Sequence, residues 1–582
     1  MQSIANALPI FSWLKHYNGQ VFKKDFLAAV IVTILLIPQA LAYALLAGLP
    51  AEVGLYSTIL PLIVYAFFGS SRTLSVAPMA IASLMTAVAL AEVAKQGSAD
   101  YLSAAIVLAF LSGAFLLMLG GLKFGFLANF LSYPVISGFI TASAIIIALS
   151  QFKHLLGVEA QGINVFEISA SLFGNLSQIN PKTLSLGLGV VVFLYLANKF
   201  GANALLKLGI KKGPAQALSK ASPLLAVLAT IIIVMQGGLE AQGVAIVGEI
   251  KVGVPVLGLP VFSFELIKSL IMPAILISVI GYVESVSIAK KLAAKRREKI
   301  DVNQELVGLG AANIASSLSG GFPVAGSLSR TTLNFNSGAM TQAASIYAAI
   351  LVAIASFTLT PILYFLPKAT LAATIMIAVI SLVDFSVFRK TWNYARGDFY
   401  AILITLKATL FFGVELGLIC GVATSIWLLL YRSSKPHVAE VGLMAGTQYF
   451  KNVRRHQVET IPQILSLRVD ESLFFANASS LEDRLFHYLY KRQEVSEVIL
   501  MCSAVNEIDY SALEILDSIN IRLINLGVHL NLSEVKGPVM DSLKNTHVLK
   551  NLSGDVFLCQ YDAYIELKNR VKFQLEAGSG HS

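Results

Sequence analysis

From Phe26 almost to Leu430 the chain is a succession of apolar runs about twenty residues long, separated by short polar connections. Such a run is stable in the hydrocarbon core of a bilayer, where it must be helical because each backbone N–H and C=O has to find its partner within the segment. The fold predicted is an α-helical polytopic membrane protein. At about 20 residues per crossing, the stretch holds about twelve to fourteen spans. The candidates are residues 25–46, 52–68, 75–92, 101–120, 126–148, 181–199, 221–236, 269–290, 303–318, 326–338, 341–358, 361–381, 398–412 and 414–431. The third and tenth are short and broken.

Of 582 residues, 56% are hydrophobic and 13% charged, whereas a soluble domain carries about 25% charged residues. An ordinary cytosolic enzyme is thereby excluded. Charge is also unevenly placed: Asp, Glu, Lys and Arg form about 10% of residues 1–432 and about 22% of residues 433–582, so two physical phases share one polypeptide. The cysteines Cys420, Cys502 and Cys559 are too far apart for a disulfide framework or zinc site and read as inert core thiols. The net charge of +9 reflects basic residues beside membrane spans more simply than a nucleic-acid partner. The N-terminus lacks a basic start, short apolar core and cleavage site, so it is read as retained, with residues 1–22 cytoplasmic.

If Lys23 and Lys24 are cytoplasmic, connections after even-numbered spans should collect Lys and Arg. They hold Arg72; Lys123; Lys207, Lys211 and Lys212; Lys290, Lys291, Lys295, Arg296 and Arg297; and Arg389, Lys390 and Arg396. Opposite connections lean acidic, with Glu52, Glu92, Asp100, Glu159, Glu167, Glu240 and Glu249. Both termini then lie on the cytoplasmic side.

An internal repeat recurs at an offset of about 250 residues. Residues 68–78, FGSSRTLSVAP, parallel residues 319–329, SGGFPVAGSLS, and Asn129 to Pro134 parallels Tyr364 to Pro367. Two halves of seven spans, about 23–236 and 265–432, follow, and an odd number per half requires opposite topology. Irregular backbone at membrane depth is tolerated only facing protein or a water-filled cavity, which makes the two breaks the site candidates. Helices starting near Pro78 and Ser327 would aim free N–H groups and positive dipole ends at one place, an anion site built from Ala77, Pro78 and Met79 on one side and Ser327, Leu328, Ser329 and Arg330 on the other.

Arg330 adds a permanent charge suited to an oxyanion; the alternative is a structural role, pairing with carbonyls or snorkelling to an interface. Ser327 and Ser329 either contact the anion or cap locally. Pro38 frees a carbonyl in the first span, with Gln39 and Tyr43 one turn apart, facing a cavity or packing a kink. Glu284, inside the eighth span, costs roughly 3 kcal/mol or more if ionised at the bilayer centre. It faces a cavity, binds a cation, holds a proton or bonds a neighbouring helix.

The residues Ile37-Pro38-Gln39-Ala40-Leu41-Ala42-Tyr43-Ala44, Gly48-Leu49-Pro50, Gly54-Leu55-Tyr56, Gly281-Tyr282-Val283-Glu284-Ser285, Asn303-Gln304-Glu305-Leu306-Val307-Gly308, Gly320-Gly321-Phe322-Pro323 and Gly326-Ser327-Leu328-Ser329-Arg330-Thr331 resemble the SulP sulfate permease family of anion transporters, related in fold to the nucleobase transporters. The resemblance runs from about residue 20 to about residue 570. It implies a core and a gate domain, an anion held between the third and tenth helices, Gln39, Tyr43, Met79, Ser329 and Arg330 lining the site, and an elevator-like motion. Sodium-coupled bicarbonate relatives have a hydroxyl one turn after the acidic position, where this chain has Ile288, so a proton is preferred to sodium as coupling ion, through Glu284.

After residues 433–460, expected as a linker, strands at 463–469, 497–502, 528–533 and 555–560 alternate with helices at 478–491, 511–525 and 539–546, a small α/β layer over 461–575 before a tail at 576–582. It resembles the STAS domain that ends SulP transporters, carrying Leu473 to Ala478 and Ile508 to Leu513, with Tyr510 where related anti-anti-sigma factors have a phosphorylatable serine. A folding and dimer-stabilising module is one reading of it, regulation by a cytoplasmic protein or nucleotide the other.

The expected activity is secondary active transport: proton-coupled sulfate uptake by a homodimer in a bacterial inner membrane. Bicarbonate, dicarboxylate or chloride transport on the same scaffold is the alternative, and a membrane-anchored signalling protein a different class. No Walker A motif, metal cluster or Ser/His/Asp set points to an enzyme, and no cofactor is expected.

Overall fold

The computed structural model describes residues 8–129, 132–209, 219, 221–249, 253, 257–358 and 360–579. Phe130 and Leu131 of the second repeat match, Lys211 and Lys212, and the chain ends 1–7 and 580–582 lie outside the described residues. The chain forms two compact units, 1–425 and 426–582.

In the first unit α1 (Gly19–Leu46), α2 (Ala51–Phe68), β1 (Val76–Ala77), α3 (Ala80–Ala91), α4 (Ala99–Gly121), α5 (Tyr133–Leu156), α6 (Val165–Gly174), α7 (Pro181–Leu196) and α8 (Ser222–Gly237) make up the first half. The second half comprises α9 (Phe264–Arg296), α10 (Val302–Leu318), β2 (Ala325–Gly326), α11 (Leu328–Asn336), α12 (Ala343–Thr358), α13 (Lys368–Ile380), α14 (Ser386–Tyr394), α15 (Arg396–Phe412) and α16 (Val414–Ser433). Among the described residues seven helices are long and apolar enough to cross a membrane, and α3, α8, α12 and α13 are among the shorter apolar ones.

Local chemistry sets the ends. The Asn18 side chain accepts from the N–H groups of Gln20 and Val21 at 3.0 Å to open α1, and Asp301 does the same for Asn303 and Gln304 at 2.9 and 3.1 Å to open α10. Pro134 sits in the first turn of α5 and Pro367 immediately precedes α13, so both prolines of the second repeat match start a helix. The α1–α2 contact is close enough that a Cβ on Gly54 would lie 1.9 Å from the Ala40 carbonyl oxygen, the small-residue crossing that packs helices where lipid removes the hydrophobic drive.

Two expectations change here. The span expected over 361–381 is broken: a single turn at Thr360–Leu363 is followed by Pro367 and then α13. The short helices α6 and α14 have no counterpart among the candidate spans, because each is too short to cross a membrane. They occupy equivalent places, each between the fifth and sixth spans of its half.

The second unit carries β3 (Val438–Leu443), β4 (Phe450–Asn452), β5 (Ile464–Val469), α17 (Ala478–Lys491), β6 (Glu497–Met501), α18 (Tyr510–Asn525), β7 (His529–Ser533), α19 (Gly537–Leu543), β8 (Val556–Phe557) and α20 (Gln560–Ser579). Its sheet runs β4-β3-β5-β6-β7-β8, parallel from β5 to β8 and antiparallel at β3 and β4. The stretch expected as a linker thus supplies two edge-side strands. The strand expected over 555–560 shortens because Gln560 opens α20, which buries Ala563, Leu567 and Val571 against Ile464 and Ile499 and extends into the expected tail. Tyr510 is 75% exposed at the start of α18, where Asp509 caps Ala512 at 2.8 Å.

Only one thiol is a core residue. Cys502 is buried and desolvation, with the nearby Glu534 charge, pushes its thiol up to about 12, while Cys420 and Cys559 are half-buried. At mildly alkaline pH, Cys502 should therefore resist maleimide in the folded protein and react once denatured; mass spectrometry of the labelled protein reads this directly, and native labelling of Cys502 would contradict its burial.

Candidate functional site

The two broken segments meet. β1 pairs antiparallel with β2, Val76 opposite Gly326 and Ala77 opposite Ala325, and the Ser327 N–H donates to the Ser75 carbonyl at 3.3 Å. The equivalent breaks of the two repeats thus lie against each other, the outcome a two-fold relation between inverted halves dictates. Gly326 is where neighbouring side chains close on the strand: a Cβ there would lie 2.6 Å from Leu74 Cδ1 and 2.9 Å from Ser285 Oγ.

Each strand leads into a half-helix. Met79 precedes α3 and Ser327 precedes α11 in extended conformation, and neither side chain caps the helix that follows. The leading N–H groups of both are left for another acceptor. Ser327 Oγ and Ser329 Oγ lie 3.1 Å apart in a mutual hydrogen bond, so capping is not the role Ser327 plays. Leu328 and Ser329 are exposed, while Ser327 and Arg330 on either side are buried.

Arg330 is fully buried. Its Nη1 donates to the Pro78 carbonyl at 2.8 Å and to Gln39 Oε1 at 3.4 Å, and its Nη2 donates to the Ala77 carbonyl at 3.1 Å. The guanidinium does not snorkel. It pairs with carbonyls, and those belong to the break in the opposite half, while its buried Nε has no partner. Gln39, 9% exposed, and Tyr43, 4% exposed, approach from α1 just after the Pro38 kink.

Glu284 projects from α9 within electrostatic reach of both Arg330 and Tyr43, and one of its carboxylate oxygens is buried without a hydrogen-bond partner. A helix-to-helix hydrogen bond of that oxygen is therefore not formed. Ile288, one turn later, is buried and apolar. Gln39, Ala77, Pro78 and Arg330 are thus in direct contact, with Tyr43 and Glu284 near the Arg330 charge and Met79, Ser327, Leu328 and Ser329 at the two helix starts.

The polar scaffold beneath the site escaped the sequence reading. Ser285 Oγ accepts from the Gly326 N–H at 2.8 Å, and the Asn313 side chain bonds both backbone groups of Val324 at 2.9 Å. Thr331 Oγ1 accepts from the Ser75 N–H at 3.2 Å, and Asn334 Nδ2 donates to the Thr73 carbonyl at 3.0 Å. Glu305, buried on α10, accepts from the Tyr65 hydroxyl at 2.7 Å, the Ser70 hydroxyl and N–H at 2.7 and 2.8 Å, and the Ser71 N–H at 2.9 Å. Glu305 and Ser285 stand in motifs that carry the family resemblance, but one-dimensional spacing does not say which distant backbone groups they serve.

Residues 22–405 match the profile of the sulfate permease family and residues 455–560 that of the STAS domain. A chloroplastic sulfate transporter of Arabidopsis thaliana, 4.1, is 37% identical over 527 residues, which cover 88% of this chain and 75% of the relative. A probable sulfate transporter of Mycobacterium tuberculosis is 33% identical, covering 93% of this chain and 94% of the relative. These relatives are transporters rather than enzymes. The fold matches the murine Solute Carrier 26 family member A9 anion transporter in its inward-facing state with a TM-score of 0.89 at 24% identity, covering 98% of this chain and 95% of that one. The transmembrane domain of a cyanobacterial bicarbonate transporter, BicA, matches with a TM-score of 0.58 at 22% identity, covering 70% and 98%. Matched along both units, the chain is a multi-pass membrane protein that belongs to the sulfate permease family.

Proposed function

We propose that this protein takes up sulfate in symport with protons by elevator-like alternating access, as a homodimer in a bacterial inner membrane with both termini cytoplasmic. The observation that carries the reading is the buried Arg330 guanidinium, bonded to the Ala77 and Pro78 carbonyls between two half-helix starts that lack side-chain caps. A fixed cation beside free N–H groups and two positive dipole ends suits a tetrahedral dianion. Sulfate is favoured because curated relatives covering most of the chain are named as sulfate transporters.

Glu284 supplies the coupling: a carboxylate with an unpartnered buried oxygen, facing Arg330 electrostatically, can load a proton as the anion enters and release it inside. Sodium is disfavoured because Ile288 presents no oxygen one turn away. The STAS unit is read as a folding and dimer-stabilising module.

The test is labelled sulfate uptake into liposomes holding the purified protein, with and without an inward proton gradient, competed by bicarbonate, chloride and succinate. Uphill accumulation driven by the proton gradient and blocked only by sulfate-like anions supports the symporter. Competition by another anion replaces the substrate, and binding without movement would favour a sensor. Glu284→Gln should keep sulfate binding within a few-fold and lose gradient-driven accumulation, leaving downhill exchange; unchanged accumulation by this variant would remove Glu284 from the coupling step.

A further inference from the structure

The helices α6 and α14 occupy equivalent places in the two inverted halves, so they lie at opposite faces of the membrane. Only residues 381–395 separate α13 from α15, which ties α14 to the membrane surface. Its inner face is held by packing: Val387 and Thr391 are buried, and the Trp392 ring meets Phe399 of α15 at 4.8 Å in an edge-on contact. Its outer face carries Arg389 and Lys390, both exposed, and Arg396 follows with its guanidinium 5.6 Å from the Trp392 ring. Phe385, Trp392, Tyr394 and Tyr400 are 59, 49, 94 and 53% exposed, an aromatic fringe of the kind that sits at headgroup depth.

The counterpart is different. Residues 157–180, which contain α6, hold Glu159 and Glu167 and no Lys or Arg, although Lys182 follows at the start of α7 as Arg396 does at the start of α15. Two elements that the repeat makes equivalent have therefore diverged in charge, the basic one lying at the end where Lys123, Lys290 and Lys291 also collect. A requirement of the fold would act on both; a requirement of the surface they face acts on one. A leaflet rich in anionic lipid is such a surface.

We infer that α14 is a seat for anionic phospholipid headgroups, with Arg389, Lys390 and Arg396 holding the phosphate and Trp392 and Tyr394 entering the interface beside it. Asp384 keeps its charge while accepting from the Ser386 N–H at 2.9 Å and faces Lys390, so it offsets one of the three positive charges and leaves the cluster net basic.

The chain has three tryptophans, Trp13, Trp392 and Trp427, which gives the test its probe. The full chain with Trp13→Phe and Trp427→Phe is reconstituted in phosphatidylcholine vesicles containing brominated phosphatidylglycerol or brominated phosphatidylcholine at equal mole fraction. Bromine quenches only a neighbouring indole. Trp392 should be quenched by both lipids, with an apparent preference for phosphatidylglycerol of about fivefold, or about 1 kcal/mol, for even one basic contact. Adding Arg389→Gln, Lys390→Gln and Arg396→Gln should reduce the ratio to about one, and so should high salt acting on the unsubstituted basic residues, a control that needs no substitution beyond the two tryptophans. Equal quenching by the two lipids before those changes overturns the proposal. So does a preference that survives both, and the absence of quenching by either lipid would mean that protein, such as a second copy, covers this face.

Discussion

Arg330→Ala should weaken sulfate binding about 10- to 150-fold, the range set by losing one charge-assisted hydrogen bond worth about 1.5–3 kcal/mol. Uptake at low sulfate should fall in proportion. The loss has two parts: the anion loses its fixed countercharge, and the Ala77 and Pro78 carbonyls lose the donors that hold the break after β1 against α11. Arg330→Lys separates them. A lysine keeps the charge but offers a point donor where the guanidinium spans two carbonyls, so binding should be partly restored. Equilibrium binding of labelled sulfate to the purified variants is the measurement. Wild-type affinity in Arg330→Ala would show that the residue belongs to the scaffold alone.

The second large effect is expected far from the anion. Glu305→Ala leaves the buried Tyr65 hydroxyl and Ser71 N–H and the half-buried Ser70 N–H without their acceptor, while the Ser70 hydroxyl keeps the Asp301 carbonyl at 3.3 Å. Each buried donor left without its acceptor costs about 1–3 kcal/mol, because it keeps the full penalty of having been taken out of water. The segment released, residues 69–75, leads directly into β1. Thermal unfolding in detergent should show a clear drop for Glu305→Ala, with transport lost in proportion to the remaining folded, ordered protein. Glu305→Gln should lie between, since one amide oxygen can still accept from Ser70 and Ser71. An Ala variant as stable as the parent would mean that these donors find water instead.

Much of this arrangement was legible in one dimension because the bilayer leaves few options. The two broken spans announce themselves, since Gly, Ser and Pro interrupt apolar runs at the same place in both halves, near Val76 and near Ala325. Arg330 and the start of α3 could be nominated for one site for that reason, and Gln39 joined them through Pro38 and the family resemblance. What Arg330 bonds to could not: Ala77 and Pro78 are more than 250 residues away, and no periodicity specifies an acceptor that is a backbone carbonyl. Glu305 was passed over on the same ground. The surface helices α6 and α14 were missed because an amphipathic turn or two between spans resembles a polar connection, and β4 because three residues give no alternation to read.

The sequence by itself determined that this chain spans a membrane in two inverted halves, ends in an α/β unit and breaks its third and tenth spans. The spans and the α/β unit follow from the length and periodicity of apolar runs, which are local, and the halves and their breaks from a repeat at an offset of about 250 residues. Only the tertiary structure decided that the breaks pair as β1 and β2, that Arg330 of one half is held by carbonyls of the other, and that Glu305 and Ser285 position the pair. The physical reason is that buried polar groups must be satisfied by whichever partner the fold brings within about 3 Å, and that choice is made by packing between helices distant in the chain.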